Sequence, residues 1–173
     1  MIRHTPYIHS FPPIAAPDAT LLILGSMPGK ASLLANQYYA HPRNAFWPIM
    51  GELFGAGPAM PYARRVRVLE HAGVAVWDVL ASCTRGSSLD SDIDEESIVA
   101  NDFASFFLAH PRIERVFFNG AKAEASFRRH VRPRLAAATL RLKRLPSTSP
   151  ANASWSPARK LRSWRIVAAN AGV

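Results

Sequence analysis

The chain has 173 residues, 49% of them hydrophobic, which suffices for one substantial core, and a single domain spanning residues 1–173 is expected. Its net charge of +9 is uneven: from Arg112 onward fourteen Lys or Arg oppose only Glu114 and Glu124, so that part carries +12 and the rest −3. The lone cysteine, Cys83, excludes an internal disulfide or a four-cysteine cluster, and the six histidines show no close pair at metal-ligand spacing, so neither metal nor cofactor is expected.

No apolar run is long enough to cross a bilayer, and Met1 to Ser10 lacks the basic-then-apolar order of a secretory signal. An intracellular protein without membrane contact is expected. The basic part reads either as a face that meets nucleic-acid phosphates or as solvated helix faces in an arginine-rich chain.

Phe11 to Pro17 is a proline-rich, extended lead-in, and the apolar run Ala19 to Leu24, closed by Gly25-Ser26, predicts a buried first strand. Helical patterns follow at Ala45 to Phe54 and Tyr62 to Ala72. A second strand is predicted over Gly73 to Leu80, a helix over Ser97 to Ala109, and a third strand over Arg115 to Asn119. Ala121 to His130 reads as a helix, Thr139 to Leu145 as a fourth strand, and a last helix starts at Ser156. Strands alternating with helices predict a three-layer α/β/α fold on a short, mainly parallel four-stranded sheet.

In such a sheet ligands bind where the carboxyl ends of the strands feed their loops. Those loops here read GSMPG, WDVLASCTRGSS, FNGAKA and LPSTSPANA. Asp90 to Glu96, acidic and polar, reads instead as a mobile surface loop away from any site.

The stretch GSMPGKASLLANQYYAHPRNAFW, Gly25 to Trp47, resembles the first motif of the uracil-DNA glycosylase superfamily, and within it the hypoxanthine-DNA glycosylase family. The resemblance continues in order through GVAVWDVL, VFFNGAKA and LPSTSPANA, from Leu21 to Pro157. It implies a monofunctional enzyme that flips a deaminated base, hypoxanthine foremost, out of double-stranded DNA and hydrolyses its N-glycosidic bond. Nothing in the sequence demands more than a monomer, and no obligate protein partner is expected. Two positions depart from uracil-specific relatives: Met27 stands where they place Asp or Asn, and Leu145 where many carry a histidine. A glycosylase for uracil, xanthine or another damaged base, and an inactive DNA-binding member of the fold, are the other readings.

The resemblance assigns Asn44 to positioning the water, although Asn44 also directly precedes the helical AFWPIM and suits a cap. Tyr39 falls where relatives stack an aromatic on the flipped base, with Tyr38 packed beneath, unless both are ordinary core aromatics. Backbone amides of the turn holding Gly25, Ser26 and Met27 would bind a base carbonyl, or the turn is only a turn. Asp78 would accept from the N1–H of hypoxanthine, which adenine lacks, or else caps a turn or pairs with Arg85. Asn119 is a second edge-reader or a left-handed turn residue. Ser147, Thr148 and Ser149 suit phosphates and the minor groove, and Arg159, Lys160 and Arg162 continue as DNA-backbone contacts on the last helix.

Overall fold

The computed structural model describes residues 5–136 and 139–171; Met1 to His4 of the amino-terminal stretch lie outside the described residues. Two sheets form. The larger contains β2 (Leu21–Gly25), β3 (Val74–Asp78), β6 (Arg115–Asn119) and β7 (Arg141–Leu145), all parallel, in the order β3-β2-β6-β7. The smaller is antiparallel, with β1 (Tyr7–His9), β4 (Leu80–Thr84) and β5 (Val99–Ala100) in the order β1-β4-β5. The lead-in covers the outer edge of β3 through a bridge between Ile14 and Val76.

All five residues of β2 are buried, as a strand covered on both faces requires. Its side chains alternate between two cores. Leu21 and Ile23 face Phe46, Trp47, Leu69 and Trp164. These come from α2 (Phe46–Phe54), α3 (Tyr62–His71) and α6 (Pro157–Asn170). Leu22 and Leu24 face Phe103, Phe106 and Phe127. The first two lie on α4 (Phe103–Ala109), and Phe127 directly follows α5 (Ala121–Ser126). The three-layer arrangement expected from the sequence is therefore present.

Local boundaries differ where long-range bonds override the local pattern. The expected strand Gly73 to Leu80 divides at Val79, because Val79 N donates to Gly25 O and Leu80 N to Ser26 O, while Asn101 Nδ2 holds Asp78 O at 2.8 Å. The chain thereby leaves one sheet and enters the other. The expected helix from Ser97 begins only at Phe103, where Asp102 caps it by accepting from Ser105 N at 3.1 Å; a single turn at 95–97 and β5 occupy the residues before it. The helix after β6 passes into a wider π turn over Phe127–Val131. Inside the first motif lies a short helix, α1 (Lys30–Ala35), which the sequence pattern does not predict.

Candidate active site

The carboxyl ends of the four parallel strands, Gly25, Asp78, Asn119 and Leu145, open into one cleft of about 1000 Å³. Strand β2 lies between β3 and β6, so chain order reverses there, which is where an open α/β sheet places its ligands.

The first-motif turn forms the cleft floor. A Cβ on Gly25 would lie 2.6 Å from Asp78 Oδ1 and 2.8 Å from Tyr39 Oη, so only glycine lets that carboxyl and that phenol close over the strand end. The amides of Met27 and Gly29 donate to no acceptor among the described residues and stay available to a ligand oxygen. Met27 itself is 7% exposed and its thioether packs in the core, so only its backbone can serve the base site.

Tyr39 adopts a left-handed backbone, φ +54°, unusual for a bulky side chain and held here by its surroundings. Its ring stacks on Phe46 with centroids 4.1 Å apart and planes at 25°. The expectation that Tyr38 packs beneath it is corrected: the two rings are 6.3 Å apart and tilted, and Tyr38 turns away to donate to Pro12 O at 2.8 Å. Burial pushes the Tyr39 phenol well above its usual range, and the hydroxyl lies in the field of Asn119 and Asp78 without a hydrogen bond of normal geometry.

Asn44 lines the cleft and also fills the capping role, because its Oδ1 accepts from Phe46 N at 2.9 Å. The two alternatives coexist. Its acceptor oxygen is committed to the helix, whereas Nδ2 has no protein partner among the described residues and can donate into the cleft. Ala45 N donates to Thr148 O at 2.9 Å, tying this segment to the last-motif loop.

Asp78 is 3% exposed, and its Oδ2 is buried without a partner. Loss of hydration, reinforced by Asp90 and opposed by Arg85, raises its carboxyl from an ordinary 3.8 to about 7. It does not pair with Arg85, whose Nη2 instead donates to Pro28 O and braces the first-motif turn.

Several expectations are corrected at the rim. Asn119 does not present a free amide edge: its Nδ2 donates to Thr148 Oγ1 and its Oδ1 accepts from Thr148 N, both at 2.9 Å. That pairing buries Thr148 to 1% exposure, so its hydroxyl cannot reach a phosphate. Lys160 is also turned inward, 5% exposed, with Nζ donating to Ser149 O at 3.2 Å, and it braces the loop instead of contacting DNA. Ser147 and Ser149 line the cleft, while Arg159 and Arg162 are exposed, the Arg159 guanidinium lying 3.8 Å over the Trp155 ring.

The acidic loop is the largest departure. It does not stand apart from the site, since Ser88, Leu89, Asp90 and Ser91 form a wall of the cleft. Ser26 Oγ donates to Asp90 Oδ1 at 2.6 Å, and Lys30 N donates to Ser88 Oγ at 2.9 Å. An anchor of Glu95 to Lys122 holds the loop's far end. Lys143 and Arg144, both exposed, join the rim. Sequence pattern reaches Ser88 as the end of the loop WDVLASCTRGSS but does not single out Leu89, Asp90, Ser91, Lys143 or Arg144, although the acidic loop directly follows that strand-end segment.

Fold and cleft together define a doubly wound α/β protein with a strand-end ligand site under a basic carboxyl-terminal part. The uracil DNA glycosylase superfamily model matches residues 12–172, and the chain belongs to that superfamily. It is 34% identical to the hypoxanthine DNA glycosylase of Methanosarcina acetivorans over 91% of this chain and 95% of the relative. It is 35% identical to the protein of that name from Methanosarcina barkeri, over 65% of this chain and 71% of the relative. The solution NMR structure of a candidate uracil DNA glycosylase from M. acetivorans superposes with a TM-score of 0.78 at 32% identity, covering 94% of this chain and 97% of the other.

Proposed function

We propose that this protein is a monofunctional DNA glycosylase that excises hypoxanthine, leaving an abasic site. The observation that carries the reading is Asp78, a buried carboxyl at the carboxyl end of β3 that lines this cleft, in a chain whose relatives bear the name hypoxanthine DNA glycosylase. Hypoxanthine presents N1–H beside O6, and Asp78, raised to about 7 and therefore ionised as pH rises past neutrality, accepts from N1–H in that form. Adenine offers only an acceptor there and is repelled.

Glycosidic cleavage develops positive charge on the sugar and negative charge on the departing base. Within the proposed reaction the flipped base lies against the free face of Tyr39, backed by Phe46, with its carbonyl oxygen on the amides of Met27 and Gly29. Asn44 orients the water by donating from Nδ2. Asn119 and Thr148 act by holding the rim in shape, and Arg159 and Arg162 meet the DNA backbone inside the cell, one domain and one copy of the chain sufficing. Incubating the protein with duplex oligonucleotides that each carry one lesion tests the reading. Release from deoxyinosine faster than from deoxyuridine or deoxyxanthosine supports it; preference for another lesion, or no release at all, overturns it.

A further inference from the structure

The cleft supplies Asp78 and the turn amides for the base and a neutral amide for the water, yet the developing sugar cation calls for an anion of its own. Only two carboxyls line it among the described residues, Asp78 and Asp90. Asp78 lies in the floor beside Tyr39 Oη and the strand end, 3% exposed, and is committed to the base edge. Asp90 stands in the wall, exposed to solvent, and its Oδ1 accepts from Ser26 Oγ at 2.6 Å, a bond that aims the carboxylate and holds it beside the first-motif turn. Asn44 cannot take a proton, and its amide oxygen is committed to Phe46 N.

From this arrangement, and resting on the glycosylase reading above, we propose that Asp90 is the catalytic carboxylate of the cleft, supplied by the acidic loop. The C1′–N9 bond breaks with its electron pair leaving on the purine. The Asp90 carboxylate stabilises the oxocarbenium-like sugar. The water oxygen then bonds to C1′ and gives one proton to Asp90, which passes it to solvent, while the released base takes its proton from solvent. The loop's acidity, unexpected beside a polyanionic substrate, then has a catalytic purpose at one position.

The test is single-turnover release of hypoxanthine from a deoxyinosine duplex by the full chain and its variants. Asp90→Asn keeps an acceptor for Ser26 Oγ but loses the charge, and it is expected to slow excision by roughly a hundredfold or more, with unchanged thermal midpoint and unchanged binding to an abasic-analogue duplex. Ser26→Ala keeps the charge and is expected to lose far less. Added formate is expected to restore part of the rate of Asp90→Ala, because a small carboxylate can enter an exposed site, whereas a loop latch would not be replaced in this way. Asp90→Asn within threefold of the unsubstituted chain overturns the proposal, as does a Ser26→Ala loss equal to that of Asp90→Asn, or the absence of formate rescue. Failure of the unsubstituted chain to release hypoxanthine instead overturns the glycosylase reading itself.

Discussion

Asp78→Asn should remove a specific part of the protein's pH-dependent stability. Burial raises the folded-state carboxyl from 3.8 to about 7, with Asp90 adding to the rise and Arg85 opposing it. The folded chain therefore holds this proton more tightly than the unfolded chain, folding takes up a proton between those values, and stability falls as pH rises through that window, levelling off above 7. With one pKa unit equal to about 1.4 kcal/mol, the cost to the fold is about 2 kcal/mol at pH 5 and about 4 kcal/mol at pH 8. Asparagine does not titrate, so relative to Asp78→Asn the unsubstituted chain should lose about 2 to 3 kcal/mol between pH 5 and pH 8. Urea unfolding at several pH values reads this directly; at a slope of roughly 1 to 3 kcal/mol per molar the midpoints diverge by about 1 to 3 M. Any constant offset from repacking cancels in the comparison. Parallel stability curves for the two proteins would refute the buried, proton-holding carboxyl.

Asn44→Ala should slow single-turnover excision by roughly a hundredfold or more, whereas its cap to Phe46 N is worth only about 1 kcal/mol, so near-normal excision at low temperature with a lowered unfolding midpoint would leave the residue as a cap alone. Replacing Arg159 and Arg162 together by alanine should shallow the slope of log affinity against log salt by about one unit for each phosphate that is no longer neutralised, with lesion preference retained; an unchanged slope would place the DNA face elsewhere.

How much of this is legible in the sequence depends on whether local pattern and long-range bonding agree. Strand β2 is buried on both faces, so its uninterrupted apolar run is its structure written out. The run Gly73 to Leu80 looks equally continuous, but its division at Val79 depends on Asn101 and on the turn after β2, which no local window contains. Asp90 escapes a sequence reading for the same reason: its neighbours are polar, and the bond that brings it to the cleft spans 64 residues to Ser26. Lys160 is different, because its position is legible. It stands four and seven residues before Trp164 and Val167, on the core-facing stripe of α6, and the surrounding basic residues obscure that spacing. The glycine turn, Tyr39, Asn44 and Asp78 stand out through motif order, whereas the presence of Phe46 instead of Tyr38 beneath Tyr39 follows from the left-handed backbone at Tyr39, which sequence pattern does not reveal.

If the cleft cuts the bond between hypoxanthine and deoxyribose and leaves the strand alone, the products are fixed: one free base and one abasic site per lesion. Mass-spectrometric analysis of a deoxyinosine duplex incubated with the full chain tests this most directly. Free hypoxanthine is expected in equal amount to abasic sites, with the strand intact until alkali is added. Intact deoxyinosine under single-turnover conditions, or a strand cut without free base, would contradict it.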